Sequence, residues 1–242
     1  MTLGIILVLV LFVAGASFVQ RVTGFGFGIF IMTVLPYIMP SYGEATTLSG
    51  LLALVQSLYI FLKMRRFIIW HKLIPILLTF ILVSFVAVRC VSLIDDKLLK
   101  RILGGVLVFA SFYFLCVSEK IHFHPSIPVQ VGLGSLSGIM GGFFAMQGPP
   151  AVLYFFSAAR NKEEYIALTQ TYFLIGNIVM TFFRMGEGFF TMEVGKAWCI
   201  SLVAVFLGER LGAIVFNKIS VSLLHKVSYT YMAICGIIAL VR

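Results

Sequence analysis

Apolar residues run along this chain in long stretches, and polar positions collect in the short gaps between them. The stretches fall at about residues 3–19, 25–39, 45–62, 73–94 and 98–117, then after a polar link at 127–145, 149–159, 165–183, 194–216 and 223–241. Most approach the roughly 20 apolar residues that a membrane-crossing helix requires, and no period-2 alternation marks a strand. The second stretch of each group of five is short.

The order therefore recurs, and so do its details. The stretch Gln20-Arg21-Val22-Thr23-Gly24-Phe25-Gly26-Phe27-Gly28 interrupts the join of the first two segments. Residues 138–150, from Gly138 through Gln147-Gly148-Pro149-Pro150, interrupt the corresponding join in the second group. Ala45-Thr46-Thr47 with Gln56 downstream resembles Ala167-Leu168-Thr169 with Asn177 downstream, and Arg89 near the end of the fourth segment resembles Arg210 near the end of the ninth. The Leu98-Leu99-Lys100 start to the fifth segment resembles Leu223-Leu224-His225.

The expected architecture is all-α integral membrane, one transporter domain over 1–242 made of repeat one (1–117), a link (118–126) and repeat two (127–242). An odd number of crossings per repeat turns the second repeat over, giving inverted topology. The inference holds whether each short pair spans the membrane or folds as a broken, re-entrant hairpin.

Composition agrees, with 61% hydrophobic residues, 11% charged residues and a mean hydropathy of +1.08. The net charge of +9 does not point to nucleic acid, because Lys and Arg stand at the ends of the apolar runs, where topology and anionic lipid account for them. The basic loop 63–72 is expected in the cytoplasm, together with Lys120, Arg160, Lys162, Lys218 and Lys226, with both termini outside. Lys97, Lys100, Arg101, Arg184 and Lys196 then fall on the outer side. The first run lacks a basic leader and reads as a first helix rather than a signal peptide. Cys90, Cys116, Cys199 and Cys235 have no metal or redox spacing and read as packing residues. His122 and His124 lie in the link and make no metal site by themselves.

Glycine-rich breaks at membrane depth are tolerated where they line a cavity, and a matched pair of them points to a transport site. Helix N-termini at the breaks present free N–H groups and a positive dipole end, which suit a small oxyanion. The alternative for Gly24, Gly26 and Gly28 is close helix packing. Candidate substrate-binding residues are Gln20, Arg21, Thr23, Gly24, Phe25 and Gly26 in the first half, and Gln147 and Gly148 in the second. Arg21 offers a charge-assisted grip or else snorkels at a helix end. Gln170 and Asn177 share a face that should point inward, with Gln56 in the matching place. Arg184 and Glu187 are expected as a gate or an exposed ion pair. Glu209 and Arg210 interrupt the ninth run as a coupling site or a structural ion pair between repeats, with Arg89 as a partner for that pair. Glu44 reads as a proton carrier or as part of a wet loop.

These motifs, Thr23-Gly24-Phe25-Gly26-Phe27-Gly28 with Pro36 downstream, residues 138–150, Trp70-His71-Lys72 and Gly208-Glu209-Arg210-Leu211-Gly212, resemble the sulfite exporter TauE/SafE (TSUP) family over essentially the whole chain. The resemblance implies an inverted-repeat fold in the bacterial inner membrane and movement of sulfite, thiosulfate, sulfonates or related organic anions. Phe143-Phe144-Ala145-Met146-Gln147 replaces the more glycine-rich run usual in the family, which bears on the substrate more than on the fold.

A secondary transporter of a small anion, coupled to a proton or sodium gradient and using no cofactor, is thus the expected function. A carboxylate transporter, a passive channel, a membrane enzyme and a purely structural subunit are the rivals. The scattered histidines speak against the enzyme and the paired polar breaks against the structural subunit.

Overall fold

The computed structural model describes residues 2–116, 125–215 and 221–241, with side chains undescribed at 114–116 and 221–228. Lys120, His122, His124 and Lys218 lie outside the described residues, as do the side chains of Cys116, Leu223, Leu224, His225 and Lys226.

Among the described residues every regular element is helical: α1 (Leu3–Thr23), α2 (Phe27–Ile31), α3 (Leu35–Ile38), α4 (Tyr42–Met64), α5 (Trp70–Val91), α6 (Asp96–Cys116), α7 (Ile127–Phe144), α8 (Gly148–Ala158), α9 (Lys162–Gly186), α10 (Met192–Val215) and α11 (Val221–Val241). Six of them, α1, α4, α5, α7, α9 and α10, are long and apolar enough to cross a membrane. The chain is an all-α, multi-pass membrane protein. The helix starts follow local chemistry, since Ser41 Oγ accepts from Glu44 N–H to begin α4 and Asn161 Oδ1 accepts from Glu164 N–H to begin α9. The run expected over 25–39 is two short helices instead, α2 and α3, separated at residues 32–34 with Pro36 in the first turn of α3.

The two short units return the chain to the end it came from. α1, α4 and α10 run parallel, with Gly208 and Gly212 of α10 against Ala14 and Phe18 of α1 in turn, and Gln56 of α4 donating to the Ser17 carbonyl. After α1 the chain doubles back, so that Phe30 of α2 packs on Gly15, and α3 delivers it to the start of α4. α7 likewise runs parallel to α5, with Gly134, Gly138 and Gly142 opposite Ile76, Val83 and Ala87. α8 then returns to the end where α7 began, where Lys72 Nζ donates to Ala158 O at 2.7 Å and to Glu164 Oε1 at 2.6 Å. The other end carries Tyr42 N–H to Asp96 Oδ2 (2.8 Å), Thr191 Oγ1 to Glu44 Oε2 (3.1 Å) and the Arg89–Glu187 pair (3.8 Å). Two helical hairpins thus enter from opposite ends and meet inside the bundle.

Small residues every fourth position let these helices approach closely. A Cβ on Gly142 would lie 2.5 Å from that of Ala87, and one on Gly208 only 2.2 Å from the Ala14 carbonyl oxygen. The most extensive packings are α5 on α7, α1 on α10, α6 on α11 and α4 on α9. Cys90, Cys199 and Cys235 are free thiols; Cys199 is exposed, which corrects its reading as a packing residue.

Candidate functional site

The first break is built by two glycines. Gly24 ends α1 at φ 84°, with its N–H returned to the Gln20 carbonyl at 2.8 Å, and Gly26 precedes α2 at φ 98°. A Cβ on Gly24 would meet nothing within 4 Å, so glycine is required there by backbone conformation rather than by packing. Thr23 Oγ1 stands 2.9 Å from Val19 O and 2.5 Å from Phe25 O and holds the turn together. Its hydroxyl is engaged with backbone at the break.

The second break uses Ala145, which adopts the left-handed conformation at φ 56° without being glycine. Ala145 N–H donates to Gly141 O and Met146 N–H to Met140 O. Gln147 then caps α8, whose first turn reads Gly148-Pro149-Pro150. The two prolines have no N–H, which corrects the expectation of a donor-rich helix start. The free backbone donors here are those of Gln147 and Gly148, beside the positive end of the α8 dipole.

The breaks touch. Gly28 in α2 lies so close to the Ala145 carbonyl that a Cβ on it would be 2.1 Å from that oxygen, and Gly148 faces Phe25. Between them is a cavity of about 30 Å³, lined by Gln20, Gly26, Gly28, Ala53, Ser57, Ala145, Gln147, Gly148, Phe173 and Asn177 among others. That space holds about one or two waters. The lining carries no charged side chain. Gln147 Nε2 donates to Phe173 O at 3.4 Å, while its Oε1 and Ser57 Oγ are buried with no protein partner. Ser137 Oγ, held by the Tyr172 hydroxyl, donates to the Gln147 carbonyl at 2.6 Å and fixes this corner.

Of the residues singled out in the sequence, Gln20, Gly26, Gln147, Gly148 and Asn177 line this cavity. Phe25 is buried beside it, and Gln170 braces it, donating from Nε2 to Gly24 O at 3.1 Å. Arg21, Thr23 and Gly24 line a second, larger space of about 650 Å³ with Arg160, Asn161, Lys162 and Tyr165, at the end of the bundle that carries Lys72. This vestibule meets the cavity at the first break, because Gly24 faces one and Gly26 the other.

Arg21 does not reach the cavity; its Nε stands 3.4 Å from Glu209 Oε1. Glu209 also accepts from Gln56 Nε2 at 2.9 Å, so the ion pair joining the two halves at this point is Arg21–Glu209, without Arg89 or Arg210. Arg210 is exposed and lines a groove between α4 and α10. The expected Arg184–Glu187 pair is absent among the described residues. Arg184 is buried on backbone carbonyls, and Glu187 pairs with Arg89 instead.

Gln56 was expected on the inward face, yet it turns to α1 and α10, and the next residue, Ser57, takes the place at the cavity. One position rotates a helical side chain by about 100°, enough to exchange them. Ala53 and Ser57, four apart on α4, match Phe173 and Asn177, four apart on α9. That shared four-residue spacing, ending in a polar side chain on each helix, is the signal that could have found them.

The sequence model of the family described as sulfite exporter TauE/SafE matches residues 7–239, nearly the whole chain. No curated protein and no solved structure matches it.

Proposed function

Because the chain belongs to the sulfite exporter TauE/SafE family, a family of membrane transporters, we propose that it is a secondary transporter that moves a sulfur oxyanion or organosulfonate across the bacterial inner membrane by alternating access. The observation that carries the reading is the meeting of two helix breaks at a central cavity. Amide and hydroxyl groups of Gln20, Ser57, Gln147 and Asn177 surround it, with free N–H groups at the start of α8. Neutral donors and a helix dipole fit an oxyanion without holding it so tightly that it cannot leave.

The halves are inverted repeats in this reading. Exchanging them carries the α1–α10 packing onto α7–α5 and leaves the α4–α9 and α6–α11 packings as they are, which supports a pseudo-two-fold relation. The vestibule with Arg21, Arg160 and Lys162 gathers anions at the end that holds the basic loop, and the positive-inside rule makes that end cytoplasmic. A proton or sodium gradient drives the cycle.

The test is the thermal stability of the purified protein against sulfite, thiosulfate, taurine, sulfoacetate, acetate and phosphate, since a ligand of the native state raises its Tm. Stabilisation by a sulfur oxyanion or sulfonate that is lost in Gln147→Ala supports the reading. Stabilisation by carboxylates alone moves the substrate class.

A further inference from the structure

Arg184 is 1% exposed, and no carboxylate pairs with it among the described residues. From α9 it reaches two other helices. Nη1 donates to Thr46 O of α4 at 3.0 Å, and Nη2 donates to Gly141 O of α7 at 2.9 Å, with Gly142 O at 3.5 Å. These carbonyls satisfy N–H groups but are neutral. The two from α7 lie in its last turn, where the negative end of the helix dipole offsets only part of the charge. A fully buried cation held by neutral ligands in a membrane protein calls for a function.

Its position supplies one. Arg184 Nη1 and Asn177 Oδ1 lie 3.0 and 3.7 Å from the same point, the Cβ position of Gly50. The guanidinium is therefore the neighbour of an amide that lines the cavity, on the side away from the vestibule. It ties α4, α7 and α9 together where a path from the cavity to the opposite end would run. The vestibule of about 650 Å³ lies at the other end.

We propose that Arg184 is a latch that the transported anion opens. The proposal rests on the anion-transport reading. An anion in the cavity offers the guanidinium a charge-assisted hydrogen bond, roughly twice as strong as one to a neutral carbonyl. Drawn toward the anion, Arg184 leaves Thr46 and the last turn of α7, and the helices it held are free to part. An empty cavity keeps the latch closed, so the opposite end opens only behind a substrate.

The test places a cysteine at Ser49, a buried position one turn along α4 from Thr46, in the full chain with Cys90, Cys116, Cys199 and Cys235 replaced. Its labelling by a membrane-impermeant maleimide is followed in lipid nanodiscs with and without sulfoacetate, a sulfonate that, unlike sulfite, does not add to maleimide. The expected result is slow labelling that sulfoacetate accelerates about tenfold. Arg184→Gln, verified as monodisperse, labels fast with or without sulfoacetate, and Arg184→Lys keeps slow basal labelling. An Arg184→Gln protein that labels as slowly as its parent, or that sulfoacetate still accelerates, overturns the latch. If Arg184→Gln is fast but no anion moves the parent, the substrate assignment falls and the latch geometry stands without it.

Discussion

Replacing Gly28 with alanine tests whether the two breaks must touch. The new Cβ would lie 2.1 Å from the Ala145 carbonyl oxygen and 3.2 Å from its carbon. A carbon rests about 3.3 Å or more from such an oxygen, so α2 and the second break must separate by roughly 1 Å. The obstacle is backbone on both sides, and no side chain can swing away to absorb it. Overpacking of this kind costs about 1–3 kcal/mol, which in a chain of this size lowers Tm by about 2–4 °C per kcal/mol. The same displacement moves Gln147 and Gly148 away from Gln20, and a 1 Å misplacement in a preorganised site is worth on the order of 100-fold in function. The assay pairs a thermal melt with sulfite uptake in proteoliposomes. Gly132→Ala is the control, because a Cβ there meets nothing within 4 Å in an ordinary helix; it should gain about 0.5–1 kcal/mol. A Gly28→Ala protein that melts and transports like its parent would refute the contact between the breaks.

Ala145→Gly removes the one left-handed non-glycine residue among the described residues; relief of about 1–2 kcal/mol, partly offset by chain entropy, should leave Tm unchanged or slightly higher. Gln20→Ala and Gln147→Ala should each weaken anion binding at least about tenfold, the loss of one or two hydrogen bonds, while the protein stays folded and inserted; unchanged affinity removes that residue from the site. Lys72→Met removes the salt bridge to Glu164, which still accepts from Arg160 N–H, and should cost about 1–3 kcal/mol in a chemical or thermal melt, with much of the loss recovered in the Lys72→Met, Glu164→Gln double variant. Arg21→Gln should change uptake rate and its salt dependence more than affinity at the cavity, since Arg21 lines the vestibule; a loss of affinity equal to that of Gln147→Ala would place Arg21 in the inner site.

Helix existence and order were legible because runs of apolar residues long enough to cross lipid leave few alternatives, and the observed ends differ from the expected ones by only a few residues. The breaks were legible too, since Pro149 and Pro150 cannot continue a preceding helix and the three glycines at 24, 26 and 28 make a helix weakest there. What the pattern does not carry is which partner a polar residue meets. Arg184 lies three positions from Glu187, an ordinary ion-pair spacing on a helix. Yet the missing side chain at Gly50 and the end of α7 draw the guanidinium inward, and Glu187 is left to Arg89. Gln56 and Ser57 differ by one position, and only the neighbours decide which faces the cavity. Arg21 stands next to Gln20 but one step round the helix, so one lines the cavity and the other the vestibule.

Crystals grown with selenite, a heavier analogue of sulfite, and measured at the selenium edge would locate the anion directly. The account predicts an anomalous peak where the breaks meet, with its oxygens about 3 Å from the Gly148 N–H and the Gln147 amide. A peak confined to the vestibule beside Arg21 and Arg160, with none between the breaks, would contradict it.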